Sequence, residues 1–311
     1  MPTVIFYAAA GLAAILFIGI LAAVVRAFTE PYLLDVDRTA LPVPDPMTGD
    51  GPGQTSTRSS PDPMTGGGPG QTSTRYSEKK PLLRIVFFSD LHGKGCKVPL
   101  GKLLDALFDE PSDLIVFGGD IADSAHDAED GLRLLRMIAQ KASLLGTPCF
   151  AIRGNHDRRV PRERIESTGF RLLLNEHTVI SGASGIRFLL IGLDDSGKKR
   201  RIWPHLPDSM PADIPKERRL LLVHNPDYIL SRTSPADFGM MLSGHFHGGQ
   251  VVLPFNLHAI LRGDQLPRQG ISKGSFSKNG INGYISRGVG CVTLPIRFLA
   301  KPQISYLSIV D

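Results

Sequence analysis

Five short stretches of the sequence put carboxylates, an amide and imidazoles where they could hold metal ions. They are Asp90-Leu91-His92, Gly119-Asp120, Gly154-Asn155-His156-Asp157, His224 and Gly244-His245-Phe246-His247. Carboxylate and amide oxygens joined by imidazole nitrogens, without thiolate, suit divalent cations of intermediate hardness. The seven donors Asp90, His92, Asp120, Asn155, His224, His245 and His247 are too many for one ion and right for two sharing a bridging carboxylate. Each piece alone is weak, since a lone Asp-x-His is common and Gly-Asp more often closes a turn. Their force lies in repetition, because every one follows an apolar run.

Those runs read as strands that must deliver the polar groups. Leu82–Phe88, Asp113–Phe117 and Pro148–Ile152 alternate with helical stretches at Pro99–Phe108 and Asp127–Leu145, a rhythm that predicts parallel βαβ units with right-handed crossovers. Sites in such sheets form beyond the carboxyl ends of the strands. Residues two apart in an extended chain point the same way, so the spacing predicts that Asp90 with His92, and His245 with His247, each face one pocket. Further along, Phe170–Asn175, His177–Ile180 and Ile186–Leu193 read as antiparallel strands. Leu220–Val223 and Gly239–Leu242 supply two more strand ends, and Gly283–Gly288 and Pro302–Val310 read as antiparallel again. The expected fold class is α/β, with two packed mixed β-sheets flanked by helices.

In order and spacing, these motifs resemble the signature of the calcineurin-like metallophosphoesterase superfamily, a four-layer sandwich, over about residues 83–310. Asn175-Glu176, Gly192-Leu193-Asp194-Asp195, His224-Asn225-Pro226-Asp227, His247-Gly248-Gly249-Gln250 and Ser286-Arg287-Gly288-Val289-Gly290 with Pro295-Ile296-Arg297-Phe298 are similar to a bacterial membrane-anchored or exported branch. That branch is related to UDP-2,3-diacylglucosamine pyrophosphatases. The resemblance implies one metal held by Asp90, His92, Asp120 and His247, and a second held by Asp120, Asn155, His224 and His245, with Asp120 bridging. It implies that His156 protonates or stabilises the leaving oxygen. Asp157 either orients His156 or caps a turn. The implied cofactors are two divalent ions, manganese or iron by preference, with zinc allowed by ligand type. Two departures stand out: Gly93-Lys94-Gly95-Cys96 follows Asp90-Leu91-His92, and Phe246 replaces the more usual threonine of the histidine pair.

Outside this set, His126, His177, His205 and His258 read as structural or surface residues. Arg153, Arg158 and Arg159 could grip a second phosphate or lie on a solvated loop. Phe255–Arg262 has helical apolar spacing and fits either a membrane-interface segment beside the site or a piece of core. Cys96, Cys149 and Cys291 are odd in number and far apart, so neither a disulfide framework nor a cysteine zinc site is expected.

With 42% hydrophobic and 21% charged residues the chain has ordinary globular composition, and a net charge of +5 is too small a bias to argue for nucleic acid. The 22 residues Val4–Val25 carry no charge, enough to cross a bilayer as a helix. Met1-Pro2-Thr3 supplies no basic n-region, so an uncleaved single-span anchor over residues 1–26 is expected rather than a signal peptide. Arg26 and Arg38 follow the span, which places the remainder in the cytoplasm by the positive-inside rule. Residues 44–60 return at 61–77 with two changes, Asp50 to Gly67 and Ser59 to Tyr76. This Pro/Gly/Ser/Thr-rich repeat cannot bury a core, so 27–79 reads as a disordered linker and 80–311 as the folded domain.

The expected function is a membrane-anchored dinuclear phosphoesterase. It would cleave a phosphodiester or pyrophosphate in a phosphate-containing small molecule or lipid, such as a UDP-2,3-diacylglucosamine-like nucleotide, at the inner or plasma membrane. Two other readings compete: an outward-facing general envelope phosphodiesterase, and a tethered metal-binding module without catalysis.

Overall fold

The structure is a computed structural model that describes residues 2–45, 80–182, 185–194, 204–231 and 237–311. It opens with α1 (Pro2–Thr29), an apolar helix of 28 residues, followed by strand β1 (Asp35–Pro42). The first βαβ series comprises β2 (Leu83–Phe88), α2 (Leu100–Leu107), β3 (Leu114–Phe117), α3 (Ala128–Leu144), β4 (Cys149–Ala151), α4 (Arg162–Glu166) and β5 (Arg171–Leu172). The second half holds β6 (Glu176–Ser181), β7 (Arg187–Gly192), β8 (Arg219–Leu222), α5 (Tyr228–Ser231) and β9 (Met240–Ser243). It ends with α6 (Leu257–Arg262), α7 (Gln265–Arg268), β10 (Gly274–Lys278), β11 (Ile281–Ile285) and β12 (Gln303–Val310).

Two six-stranded mixed sheets result, in the orders β1-β12-β2-β3-β4-β5 and β10-β11-β9-β8-β7-β6. Strand alternation builds the layers. Ile85, Phe87, Leu114 and Val116 face inward and meet Leu190, Leu220, Leu222 and Leu242 of the other sheet. The intervening Val86, Phe88, Ile115 and Phe117 turn outward onto Leu103 of α2 and Leu132, Leu135 and Ile138 of α3. On the far side, Leu189, Ile191, Leu221 and Met241 pack on Ile229 of α5 and Leu266 of α7. Both faces of the central strands are therefore buried, which is why their sequences run apolar without interruption.

Strand pairing departs from expectation in three places. β5 lies parallel to β4 and closes the first sheet, instead of pairing antiparallel with β6. β11 runs antiparallel to β10 but parallel to β9. β12 is antiparallel to β2 and parallel to β1 along all eight residues of β1.

That last pairing corrects the expected linker over 27–79. Glu30 is fully buried and its carboxylate accepts the Ala300 N–H, while the Arg297 N–H donates to Ala27 O at 3.0 Å. The folded body therefore begins where α1 ends. Leu41 is buried in the core between the sheets, and Val36 packs on the opposite face. Most of the 17-residue repeat lies outside the described residues.

Cys149 and Cys291 are buried, Cys96 is half-buried, and all three are free thiols. Burial pushes the Cys96 thiol up to about 11 and the Cys149 thiol up to about 12.

Candidate metal centre

The carboxyl ends of β2, β3 and β4 in one sheet, and of β8 and β9 in the other, converge on one place. Asp90, His92 and His247 bring one donor atom each within 4.8 Å of one another, and Asp120, His224 and His245 form a second such group. Asp120 stands between the two groups, with Oδ2 3.0 Å from His224 Nε2 and 3.7 Å from His92 Nε2. Asp90 Oδ1 lies 3.3 Å from His247 Nε2 and 3.8 Å from His224 Nε2. Asn155, on the loop after β4, is half-buried, and its side-chain oxygen is a buried acceptor with no hydrogen-bond partner among the described residues. Six of the seven residues expected from the sequence lie in these two groups, and Asn155 directly precedes His156, whose backbone N–H binds Asp120.

The route to convergence differs from expectation. Asp90 and His92 do not share a face by strand alternation, because β2 has already ended at Phe88. Asp90, His92, Asp120, His245 and His247 instead have φ between 49° and 74°, the left-handed region that non-glycine residues seldom enter. Five strained backbones in one pocket are held there by their surroundings, as at sites where geometry serves function. Backbone N–H groups help: His245 N donates to Asp90 Oδ1 at 3.1 Å and His156 N donates to Asp120 Oδ1 at 2.9 Å. Gly154 and Gly244 give the carboxylates room. A Cβ on Gly154 would stand 2.2 Å from Asp120 Oδ1, and one on Gly244 2.5 Å from Asp90 Oδ2.

Two of the histidines rest their second ring nitrogen on an oxygen. His92 Nδ1 donates to Asp123 Oδ1 at 2.6 Å and His224 Nδ1 to Gly118 O at 2.8 Å, while His247 Nδ1 lies 3.3 Å from Gly290 O and 3.4 Å from Arg297 Nη2. A carbonyl only accepts, so the proton of His224 sits on Nδ1 and its Nε2 lone pair points into the centre. Metal-ligating histidines are typically oriented in this way. With its unpaired oxygen and inward nitrogens, the donor set fits two divalent cations of the manganese, iron or zinc type.

Electrostatics agree. Burial alone would raise the Asp120 carboxyl, but the imidazoles of His224, His92 and His156 outweigh it and hold it well below the usual carboxylate range. Burial lowers His92, but its bond to Asp123 and the charges of Asp120 and Asp90 raise it above its ordinary value.

His156 is half-buried beside His92, with ring centroids 5.1 Å apart, and its Nδ1 donates to the Asp123 backbone O at 3.0 Å. Its Nε2 is thereby left to hold or accept a proton. Asp157 takes the turn-capping role and not that of orienting His156. Its Oδ2 accepts from Asp120 N at 2.7 Å and Gly154 N at 3.0 Å, and its Oδ1 from Ile121 N at 2.7 Å. Burial, with the Asp120 charge beside it, pushes the Asp157 carboxyl up to about 7 against the pull of these donors.

Sequence reading missed Asp123, which orients His92, and Asp264, whose Oδ1 stands 3.7 Å from His245 Nε2. The Asp at the third place after Asp120 was a visible signal, but it reads as an ordinary loop residue. Arg153 does not reach toward a substrate. It is buried and forks onto Asp194, with Nε to Oδ1 at 3.2 Å and Nη2 to Oδ2 at 2.7 Å, joining the ends of β4 and β7. His258 is buried and its Nδ1 accepts the Leu253 N–H, while His126 and His205 are exposed and His177 is half-buried.

Residues 83–267 match the model of the calcineurin-like phosphoesterase family. The chain is 30% identical over 235 residues to YkuE, a metallophosphoesterase of Bacillus subtilis (strain 168), covering 73% of this chain and 78% of that protein. It is 30% identical to YkoQ, a second metallophosphoesterase of the same organism, over 72% of this chain and 82% of the relative. Phosphodiesterase YaeI of Escherichia coli (strain K12) is 31% identical over 73% of this chain and 82% of its own length.

Proposed function

Because the chain belongs to the calcineurin-like phosphoesterase family, we propose that it hydrolyses a phosphodiester or pyrophosphate bond at the centre formed by its strand ends. One divalent cation would be held by Asp90, His92, Asp120 and His247, and the other by Asp120, Asn155, His224 and His245. The observation that carries this reading is the pair of donor groups on either side of Asp120. Two cations bound there would supply Lewis acidity to the phosphoryl oxygens and lower the pKa of a water molecule.

The chain's own residues do the rest. Asn155 brings a neutral oxygen, which limits negative charge around an anionic substrate. His156, fixed through Nδ1 by the Asp123 carbonyl, presents Nε2 to the leaving oxygen and hands it a proton. Asp157 holds the Asp120 turn, and Asp123 holds His92. That a relative is named a phosphodiesterase supports a diester over a monoester.

α1 serves as a membrane anchor in this reading. None of its most apolar window is buried against the protein, so a covering must come from outside, and 28 residues at 1.5 Å each exceed the roughly 30 Å of a hydrocarbon core. Arg26 and Arg38 favour a cytoplasmic catalytic domain. An anchored phosphoesterase is suited to a lipid-bearing substrate, of which UDP-2,3-diacylglucosamine is the best-motivated example.

The test pairs two variants of the full chain. Asp120→Asn removes hydrolysis and metal occupancy together. His156→Ala lowers turnover by about 10²–10⁴-fold while the metal stays bound. Equal metal loss in both variants would show that His156 is a ligand and not the acid. Manganese-loaded protein offered UDP-2,3-diacylglucosamine in micelles beside a soluble chromogenic diester separates the substrate classes. Cleavage of the soluble diester alone keeps the chemistry and removes the lipid nucleotide.

A further inference from the structure

Large apolar side chains left exposed after α1 are unevenly spread. Of eleven such residues among those described, six lie on two neighbouring segments: Leu253, Phe255, Leu257 and Ile260 on and before α6, and Leu294 and Leu299 on the loop before β12. Phe255 is 94% exposed, and it and Asn256 are consecutive non-glycine residues at φ of 56° and 57°. The fold thus carries backbone strain to present a phenyl ring to the outside. An outward Phe on a strained turn calls for a covering surface.

The two segments are bound to each other and to the end of α1. Phe298 N donates to Gln250 O at 2.8 Å and Val252 N donates to Phe298 O at 2.9 Å. On the same loop, Arg297 N and Ala300 N bind Ala27 O and the Glu30 carboxylate, and Arg26 stacks on the Phe298 ring at 5.5 Å. The patch therefore continues the lower end of α1. Exposed Lys301 adds positive charge at its edge, as a surface facing anionic headgroups requires.

The patch also borders the metal centre. Gly249, two residues after His247, packs so closely on His258 of α6 that a Cβ there would stand 2.6 Å from the ring. Asp264, just beyond α6, stands 3.7 Å from His245.

We propose that these two segments form a lipid-contacting rim that enters the headgroup region of the bilayer crossed by α1, so that the metal centre opens at the membrane surface. The substrate class is then an amphiphilic phosphoester whose tail stays in the bilayer while its phosphate reaches the centre past α6. This inference rests on the reading of α1 as an anchor.

The test uses the full chain in vesicles of phosphatidylethanolamine and phosphatidylglycerol. A fluorescent thiol label is placed in turn through Phe255→Cys, Leu294→Cys, Leu144→Cys and Ile15→Cys; Leu144 is an exposed leucine at the far end of α3. The rim predicts that labels at 255 and 294 are quenched by nitroxides set near the lipid headgroups. It also predicts about fivefold or more protection of these labels from aqueous iodide relative to position 144, because an interfacial segment lies some 5–10 Å deep. Iodide quenching at 255 and 294 equal to that at 144 overturns the rim. Protection from iodide without nitroxide quenching also overturns it, since a protein surface then covers the patch. The label at position 15 reports separately: absence of quenching by nitroxides at the bilayer centre refutes the anchor itself.

Discussion

Replacing Asp123 by Asn isolates the support of one proposed metal ligand, His92. Asp123 Oδ1 accepts from His92 Nδ1 at 2.6 Å, and the same residue's backbone oxygen holds His156. The substitution alters the first contact and leaves the second. A hydrogen bond to a charged acceptor contributes about 1.5–3 kcal/mol and a neutral one about 0.5–1.5, so roughly 1–1.5 kcal/mol of support is lost. That corresponds to about tenfold in metal affinity, at the low end of the 10–100-fold seen for groups behind metal ligands. The low end is expected, because the Asp123 side chain is 45% exposed and water can replace part of its role. At pH 8, chelator competition with manganese-loaded full chain should show the affinity loss, and turnover should return to near the parent value at saturating metal. A turnover that stays tenfold down when the metal sites are full would refute the reasoning, because Asp123 would then act on the proton transfer through His156. An unchanged affinity would refute it equally.

Gly154→Ala, whose new Cβ would stand 2.2 Å from Asp120 Oδ1, should displace the shared carboxylate and cost about a hundredfold in turnover with metal occupancy reduced. A variant as active as the parent would mean that the loop after β4 yields freely. Asp194→Ala leaves the buried Arg153 guanidinium without its carboxylate, so thermal unfolding should report a loss of about 3–5 kcal/mol, and a shift within error would show that water reaches Arg153. Deleting residues 61–77, one copy of the repeat, should raise stability by only about 0.6 kcal/mol and leave turnover unchanged, since halving a loop alters closure entropy little. A fall in turnover would give the repeat a part in the site.

The sequence disclosed the centre because each donor follows an apolar run, and the burial of both faces of β2, β3, β8 and β9 makes those runs continuous. It did not disclose how the donors turn inward. Left-handed backbone at Asp90, His92 and Asp120 is held by their N–H groups donating to Gly119 O, Asp120 O and the Asp157 carboxylate, acceptors from elsewhere in the chain that no local pattern encodes. β1 was hidden for a related reason. Asp35-Val36-Asp37-Arg38-Thr39-Ala40-Leu41-Pro42 is charged and short of apolar residues, and its partner is the last strand of the chain. An edge strand ending in proline and stabilised by so distant a partner carries little local signal.

That strand changes how α1 is joined to the domain. A flexible tether of some 50 residues would leave the centre free to wander about 40 Å from the bilayer. Instead, Val43 N binds Val310 O at 2.7 Å and Leu82 N binds Ile309 O at 2.8 Å, so both sides of the intervening segment are tied to adjacent residues of β12. The length of the segment between them therefore does not set the distance from α1 to the site. Arg297 sets it. This fully buried guanidinium donates to Arg287 O at 2.9 Å and Ala300 O at 2.7 Å and lies 3.4 Å from His247 Nδ1, while its backbone N–H holds Ala27 at the end of α1. One residue thereby touches both His247 of the candidate centre and the point where the apolar helix joins the domain, so the position of α1 relative to that centre is set by the fold.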